Sequence, residues 1–221
     1  MQEMGSIPGV KTFKALPYNQ ERFRVLEINN FQFKDSLSFL NASLNELMSN
    51  LVKDKHHEFA IMDQLELYTE YEPEKKALIL QKGIYPYDYA SSPKKLRKTL
   101  KIPAKKHFYS ALTNSNVSDD DYQHSKNVFN TFQCGNMEKY TSLYCMTDVG
   151  CLAEVVMKYR KTILQNFQLD PCHYISTPQM AYDAMLLLTK VQIHLMHDID
   201  QVRLFLLVEA ARHHVNACIL F

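Results

Sequence analysis

Glycine is scarce here: five residues in 221, and none after Gly150. No glycine-rich phosphate loop can be drawn, which argues against a nucleotide triphosphatase. A C-terminal third without glycine reads as packed helices, not as a loop-built active site. Cysteine is sparse too. There are five, an odd number, and no CxxC pair. That argues against a disulfide framework and a standard zinc knuckle, and for a reducing, intracellular compartment. No apolar run reaches the roughly 18–20 residues that cross a bilayer. The opening MQEMGSIPGV lacks the charged start and apolar block of a signal peptide. Net charge is only +1, so no overall field points to nucleic acid or to an acidic partner. What remains is ordinary for a globular chain: 46% hydrophobic and 22% charged, with length for one large domain or two small ones.

Local signals divide the chain. Residues 1–10 read as loose and disordered. Phe23 and Val25 alternate before Asn29-Asn30, and Phe31 and Phe33 alternate after it, which predicts a hairpin. Ser43 and Glu46 have capping-box spacing, so a helix starts at Leu44 and runs to about Lys53. Pro73 suits a short helix through Gln81, with Gly83 at its end. Ser92-Pro93 opens another, through about Leu100. Ser118 before three aspartates starts a helix to about Phe132, and Gly135 breaks it from the next. Thr177-Pro178 caps a helix to about Lys190. Asp198 and Asp200 mark a turn, and residues 201–215 read as a last helix.

The most informative stretch is the helix Glu138–Phe167. Cys145, Val149, Leu152, Val156, Tyr159 and Ile163 recur in steps of four and three, the spacing of one buried face. Tyr144 and Asp148 share a face one residue round from that stripe. They would sit at the edge of a core, where a carboxylate can hold a metal ion. The bland alternative is a packed tyrosine and an exposed aspartate. Glu154 points elsewhere, roughly 120° from Asp148. The histidine pairs His56-His57 and His213-His214, with Cys218, lack further ligands at a standard spacing and read as ordinary surface or core residues.

Tyr144-Cys-Met-Thr-Asp148-Val, near the start of an amphipathic helix, resembles the third exonuclease motif of family-B DNA polymerases, Tyr-x-x-x-Asp on a helix. Phe33-Lys-Asp-Ser-Leu-Ser-Phe-Leu40 is similar to the strand-then-helix segment of the same proofreading domains. Lys82-Gly-Ile-Tyr-Pro-Tyr-Asp-Tyr89 resembles an insert of the protein-primed type, from viruses, linear plasmids and self-synthesising transposons. Leu169-Asp-Pro-Cys-His-Tyr174, Ala181-Tyr-Asp-Ala-Met185 and His197-Asp-Ile-Asp200 resemble the entry to the polymerase domain.

The resemblance implies an α+β, mostly helical chain with an N-terminal β-hairpin. Residues 11–168 would be the later part of a ribonuclease-H-like 3′→5′ exonuclease domain. Residues 169–221 would begin a truncated polymerase domain. The intact family works on DNA with Mg²⁺ or Mn²⁺. By resemblance Asp148 would be a metal ligand and Tyr144 would orient the attacking water. Replication in the nucleus follows if the gene is host-encoded.

Two acidic motifs of the family, an Asp-x-Glu on an early strand and a later Asp, are absent. One carboxylate cannot hold two hard cations. The chain is therefore expected to bind no metal tightly and to be inactive alone. Missing strands would leave apolar surface open to self-association. The tail Val208-Glu-Ala-Ala-Arg-His-His-Val215 also departs from the family. The basic run Lys94, Lys95, Arg97, Lys98, Lys101, Lys105 and Lys106 has no acid among it. It reads either as a track for a DNA backbone, with Tyr85, Tyr87 and Tyr89 stacking on bases, or as a solvated surface helix with packed tyrosines. The rival reading of the whole is a non-catalytic DNA-binding or helical interaction module, or a transposon-derived relic.

Overall fold

The computed structural model describes residues 9–17, 23–64, 73–109, 114–193 and 198–200. Three strands come first: β1 (Phe13–Pro17), β2 (Phe23–Ile28) and β3 (Phe31–Lys34). They pair as an antiparallel meander in the order β1-β2-β3. Asn29 takes a left-handed conformation (φ 53°) between β2 and β3, so the hairpin lies where Asn29-Asn30 puts it. β1 has no clear pattern of its own in the sequence. The turn holds it: Asn29 Oδ1 accepts from the Lys11 amide at 2.8 Å and the Thr12 amide at 3.2 Å. Cross-strand pairing puts Phe13, Ala15, Leu26, Ile28, Phe31 and Phe33 on one face. Phe31 and Phe33 are 72% and 56% exposed, so that face is open along β3, while Phe13, Ala15, Leu26 and Ile28 are half-buried.

The helices follow as α1 (Leu44–Lys53), α2 (Ala60–Gln64), α3 (Pro73–Ile79), α4 (Pro93–Lys98), α5 (Asp119–Thr131), α6 (Met137–Phe167) and α7 (Thr177–Thr189). Side-chain caps explain most starts. Ser43, Ser92 and Ser118 accept from Glu46, Lys95 and Asp121 amides. Asp119, Asp120 and Asp121 then meet the positive end of the α5 dipole. Gly135, at φ +70°, turns the chain between α5 and α6, and Asn136 caps α6. Two expectations shift. α3 stops at Ile79, short of Gln81. The Thr177 hydroxyl donates to the carbonyls of Ser38 and Phe39, tying the start of α7 to the 3-10 turn after β3.

α6 is the axis of the core. α1, α2 and α4 all pack against it. Met48 and Leu51 from α1, Met62 from α2 and Ile79 from α3 meet Met137, Tyr140, Leu143, Cys151 and Val155. The inward face of α6 is thus Met137, Tyr140, Tyr144, Thr147, Cys151 and Glu154–Val155. This corrects the expected stripe. Cys145 is exposed, and Val149 and Leu152 are 68% and 38% exposed. Both stripes have helical spacing. The core took the one with Thr147 and Glu154 because both find partners there. Thr147 Oγ1 donates to the Leu143 carbonyl at 2.8 Å, which removes the cost of burying its hydroxyl.

The chain divides into two units, residues 1–179 and 180–221. The expected polymerase-like part, from residue 169, begins inside the first. In the second, the described residues comprise the rest of α7, the segment to Ile193 and a turn in which the Asp200 amide donates to Asp198 Oδ1 at 2.9 Å. The expected helix 201–215, the tail to residue 221 and most of the N-terminal ten residues lie outside the described residues. The fold is α+β and mostly helical, with an N-terminal antiparallel sheet.

Candidate functional site

Tyr144 and Asp148 lie one turn apart on α6, and the structure brings them together. Tyr144 sits in the core, with its ring stacked on Tyr85 (centroids 4.8 Å apart, planes at 23°). Its phenol oxygen lies 2.5 Å from that of Tyr87. Burial, then the adjacent Asp148 carboxylate and the Tyr87 phenol, hold Tyr144 far above the ordinary tyrosine range. It stays a neutral donor at any physiological pH. Asp148 is half-buried, and its Oδ1 is shielded from water without a hydrogen-bond partner. A shielded oxygen of that kind invites a cation or a donor.

The segment after α3 is built around this pair. The Gly83 backbone presses on the Tyr144 ring: a Cβ there would lie 2.6 Å from Cδ2 and 2.9 Å from Cε2. Gly83 is thus a close-approach glycine, not a helix terminator. Tyr140 donates to the Ile84 carbonyl at 2.6 Å, and the Tyr85 phenol meets Thr141 Oγ1 at 2.8 Å. Tyr85 is consequently packed, not available for stacking. Tyr89 is covered by Lys95, whose Nζ lies 3.9 Å from the ring centroid, and meets Thr99 Oγ1 at 3.1 Å. Tyr87 alone of the three keeps its ring mainly in water, at 67% exposure.

The basic run divides. Arg97 bonds Glu138 at 2.7 Å, Lys105 bonds Asp119 at 2.5 Å, and Lys95 lies over Tyr89. Lys94, Lys98, Lys101 and Lys106 are exposed. Five of the seven cations are thus exposed, and one of those five, Arg97, is paired with Glu138, a weaker counterion-releasing track than the run suggests.

Glu154 is the residue that sequence spacing set aside, and it is the most committed carboxylate on α6. It is 2% exposed. Its Oε1 accepts from the Ile61 amide at 2.7 Å and the Met62 amide at 2.8 Å, and its Oε2 lies 3.2 Å from His57 Nε2. The carboxylate thereby satisfies the orphan amides at the start of α2. His57 is held from its other side by Phe59, edge-on at 4.8 Å. A groove of about 720 Å³ opens beside them, lined by His56, Met157, Lys158, Arg160 and Lys161 among others. Lys158 and Arg160 are committed to Asp54 and Asp170. The signal for Glu154 was its register, seven residues after Thr147 on the stripe that the core uses.

A two-metal centre needs several oxygens around each cation. Asp148 offers one carboxylate, beside a neutral phenol and the Cys151 thiol. Burial pushes that thiol up to about 12, and a soft thiol is a poor ligand for a hard cation. Among the described residues no three His, Cys, Asp or Glu side chains gather to hold a metal ion. The described residues thus do not fit the paired Mg²⁺ or Mn²⁺ of the family. What the pair can do alone is keep the Tyr144 proton beside the Asp148 carboxyl group. No helix of the described residues is long and apolar enough to cross a membrane. Compared with protein-family models, curated proteins and solved structures, the chain matches none.

Proposed function

We propose that this chain is the later part of a family-B-type proofreading domain joined to the first residues of a polymerase domain. It acts on DNA only within a larger assembly and is catalytically silent alone. The observation that carries this reading is the Tyr144–Asp148 pair, one turn apart at the edge of the core, with a shielded Asp148 oxygen that has no partner. The Lys82–Tyr89 segment, singled out by its own resemblance, packs on the same turn of α6, which supports treating the two as one site. In the ribonuclease-H-like version of this reading, the β1-β2-β3 meander flanks a mixed sheet whose other strands come from elsewhere. Its open apolar face is consistent with that.

Silence follows from the donor set. One carboxylate and a phenol engaged by Tyr87 can neither hold two cations nor aim a water. The test is digestion of a 5′-labelled single strand by the pure chain with Mg²⁺ or Mn²⁺. No shortening from the 3′ end is expected. Clear 3′→5′ shortening that Asp148→Ala abolishes would overturn the claim of silence.

A further inference from the structure

α6 carries two stripes at helical spacing, and among the described residues one is buried and the other is largely exposed. The outer one runs Cys145, Val149, Leu152, Val156. Cys145 is exposed, Val149 is 68% exposed, Leu152 is 38% exposed and Val156 is half-buried. Met146, 39% exposed, widens it. The four-three spacing continues through Tyr159 and Ile163, which is a heptad seam with a period of 3.5. Val149, Val156 and Ile163 occupy its a positions, and Cys145, Leu152 and Tyr159 its d positions. In the stretch Cys145–Val156 the two a positions, Val149 and Val156, are β-branched and Leu152 is at d, the set that favours two parallel helices.

The seam is open over Cys145–Val156 and closed beyond. Tyr159 meets Phe39 at a centroid distance of 6.3 Å, and Arg160 is clamped to Asp170 at 2.6 Å. Within the open stretch the charged residues are Asp148 and Glu154. Glu154 is buried on the opposite side, and Asp148 is half-buried at the margin. A second helix of the same sequence therefore meets no like charge at the a and d positions.

We propose that a second copy of this chain covers this stripe, with the two α6 helices parallel and in register across Val149, Leu152 and Val156. Covering these side chains on both copies removes on the order of several hundred Å² from water, the low end of the range of interface sizes, where contacts are weak and concentration-dependent. The inference stands apart from the proofreading reading, since it uses neither Tyr144 nor any DNA contact.

Sedimentation of the full chain over a wide concentration range tests it. The mass should rise from 25.8 kDa towards twice that value. Val149→Glu should hold the chain at the monomer mass with an unchanged circular dichroism spectrum, because that side chain is 68% exposed. Parallel register sets Cys145 opposite Cys145, whereas an antiparallel crossing sets it opposite Val156. Diamide oxidation, in which two thiols give one disulfide and diamide takes up both hydrogens, should yield a covalent dimer that Cys145→Ser abolishes. A monomer at every concentration overturns the proposal. So does a dimer that survives Val149→Glu and is lost on Phe33→Glu, which would place the second copy on the open sheet face. A Val149-dependent dimer with no Cys145 cross-link overturns the parallel register.

Discussion

Replacing Glu154 by alanine takes the acceptor away from three donors at once. The Ile61 and Met62 amides lie 2.7 and 2.8 Å from Oε1, and His57 Nε2 lies 3.2 Å from Oε2. An unpaired buried donor costs about 1–3 kcal/mol, and hydrogen bonds to a charged group are at the stronger end. Water entering from the neighbouring groove can re-pair part of this set, which lowers the sum. A loss of about 3 kcal/mol is the expected net effect, against about 1 kcal/mol for Glu154→Gln, which keeps one carbonyl acceptor. Urea unfolding of the three proteins gives the totals. Amide hydrogen exchange gives the location, because protection at Ile61 and Met62 should fall more than at α5. A loss below about 1 kcal/mol for the alanine variant would refute the assignment of Glu154 as the anchor of α2. So would unchanged protection at those two amides.

Gly83→Ala puts a methyl group 2.6 Å from Tyr144 Cδ2, and that ring is fixed by Tyr85 and Tyr87. Overpacking of this kind costs about 1–3 kcal/mol, so the thermal midpoint should drop and the near-ultraviolet tyrosine signal should change. An unaltered melt would mean that the close contact is not real. Asp170 is held well below its ordinary value of 3.8, chiefly by the hydrogen bond from Arg160. A carboxyl group depressed on folding stabilises fully above its unfolded value, and that contribution is lost as pH falls through the folded one. Asp170→Asn should therefore weaken the fold at neutral pH and match the parent in strong acid. An equal loss at every pH would show that the side chain acts by packing and not by charge.

Much of the backbone plan was legible because helix starts are local chemistry. Ser43, Ser92 and Ser118 each accept an amide three residues on, a contact written within four residues of sequence. The Asn29 turn is equally local. β1 and α2 were not legible, for a shared reason: each is held by a distant side chain. Asn29 holds the start of β1 from 17 residues away, and Glu154 holds the start of α2 from 93 residues away. Of the candidate site, Tyr144 and Asp148 were singled out by resemblance to a Tyr-x-x-x-Asp motif, their spacing alone only placing them on one face, and Glu154 was passed over. A charged residue on a helix normally marks the solvent face, and hydropathy cannot register the two amides that make its burial affordable.

Sequence alone determined the long α6 helix and one apolar stripe along it at helical intervals, which it took for the buried face; the second stripe and the Asn136 cap came from the structure. Apolar spacing alone favoured the wrong stripe. Period 3.6 is satisfied equally by Cys145-Val149-Leu152-Val156 and by Tyr140-Tyr144-Thr147-Cys151. Tertiary structure made the choice, since only the second stripe finds Gly83 to pack on, Ile79 to accept the Cys151 thiol at 3.5 Å, and the α2 amides to donate to Glu154. The outer stripe was left to water, and with it the surface through which two copies of the chain meet.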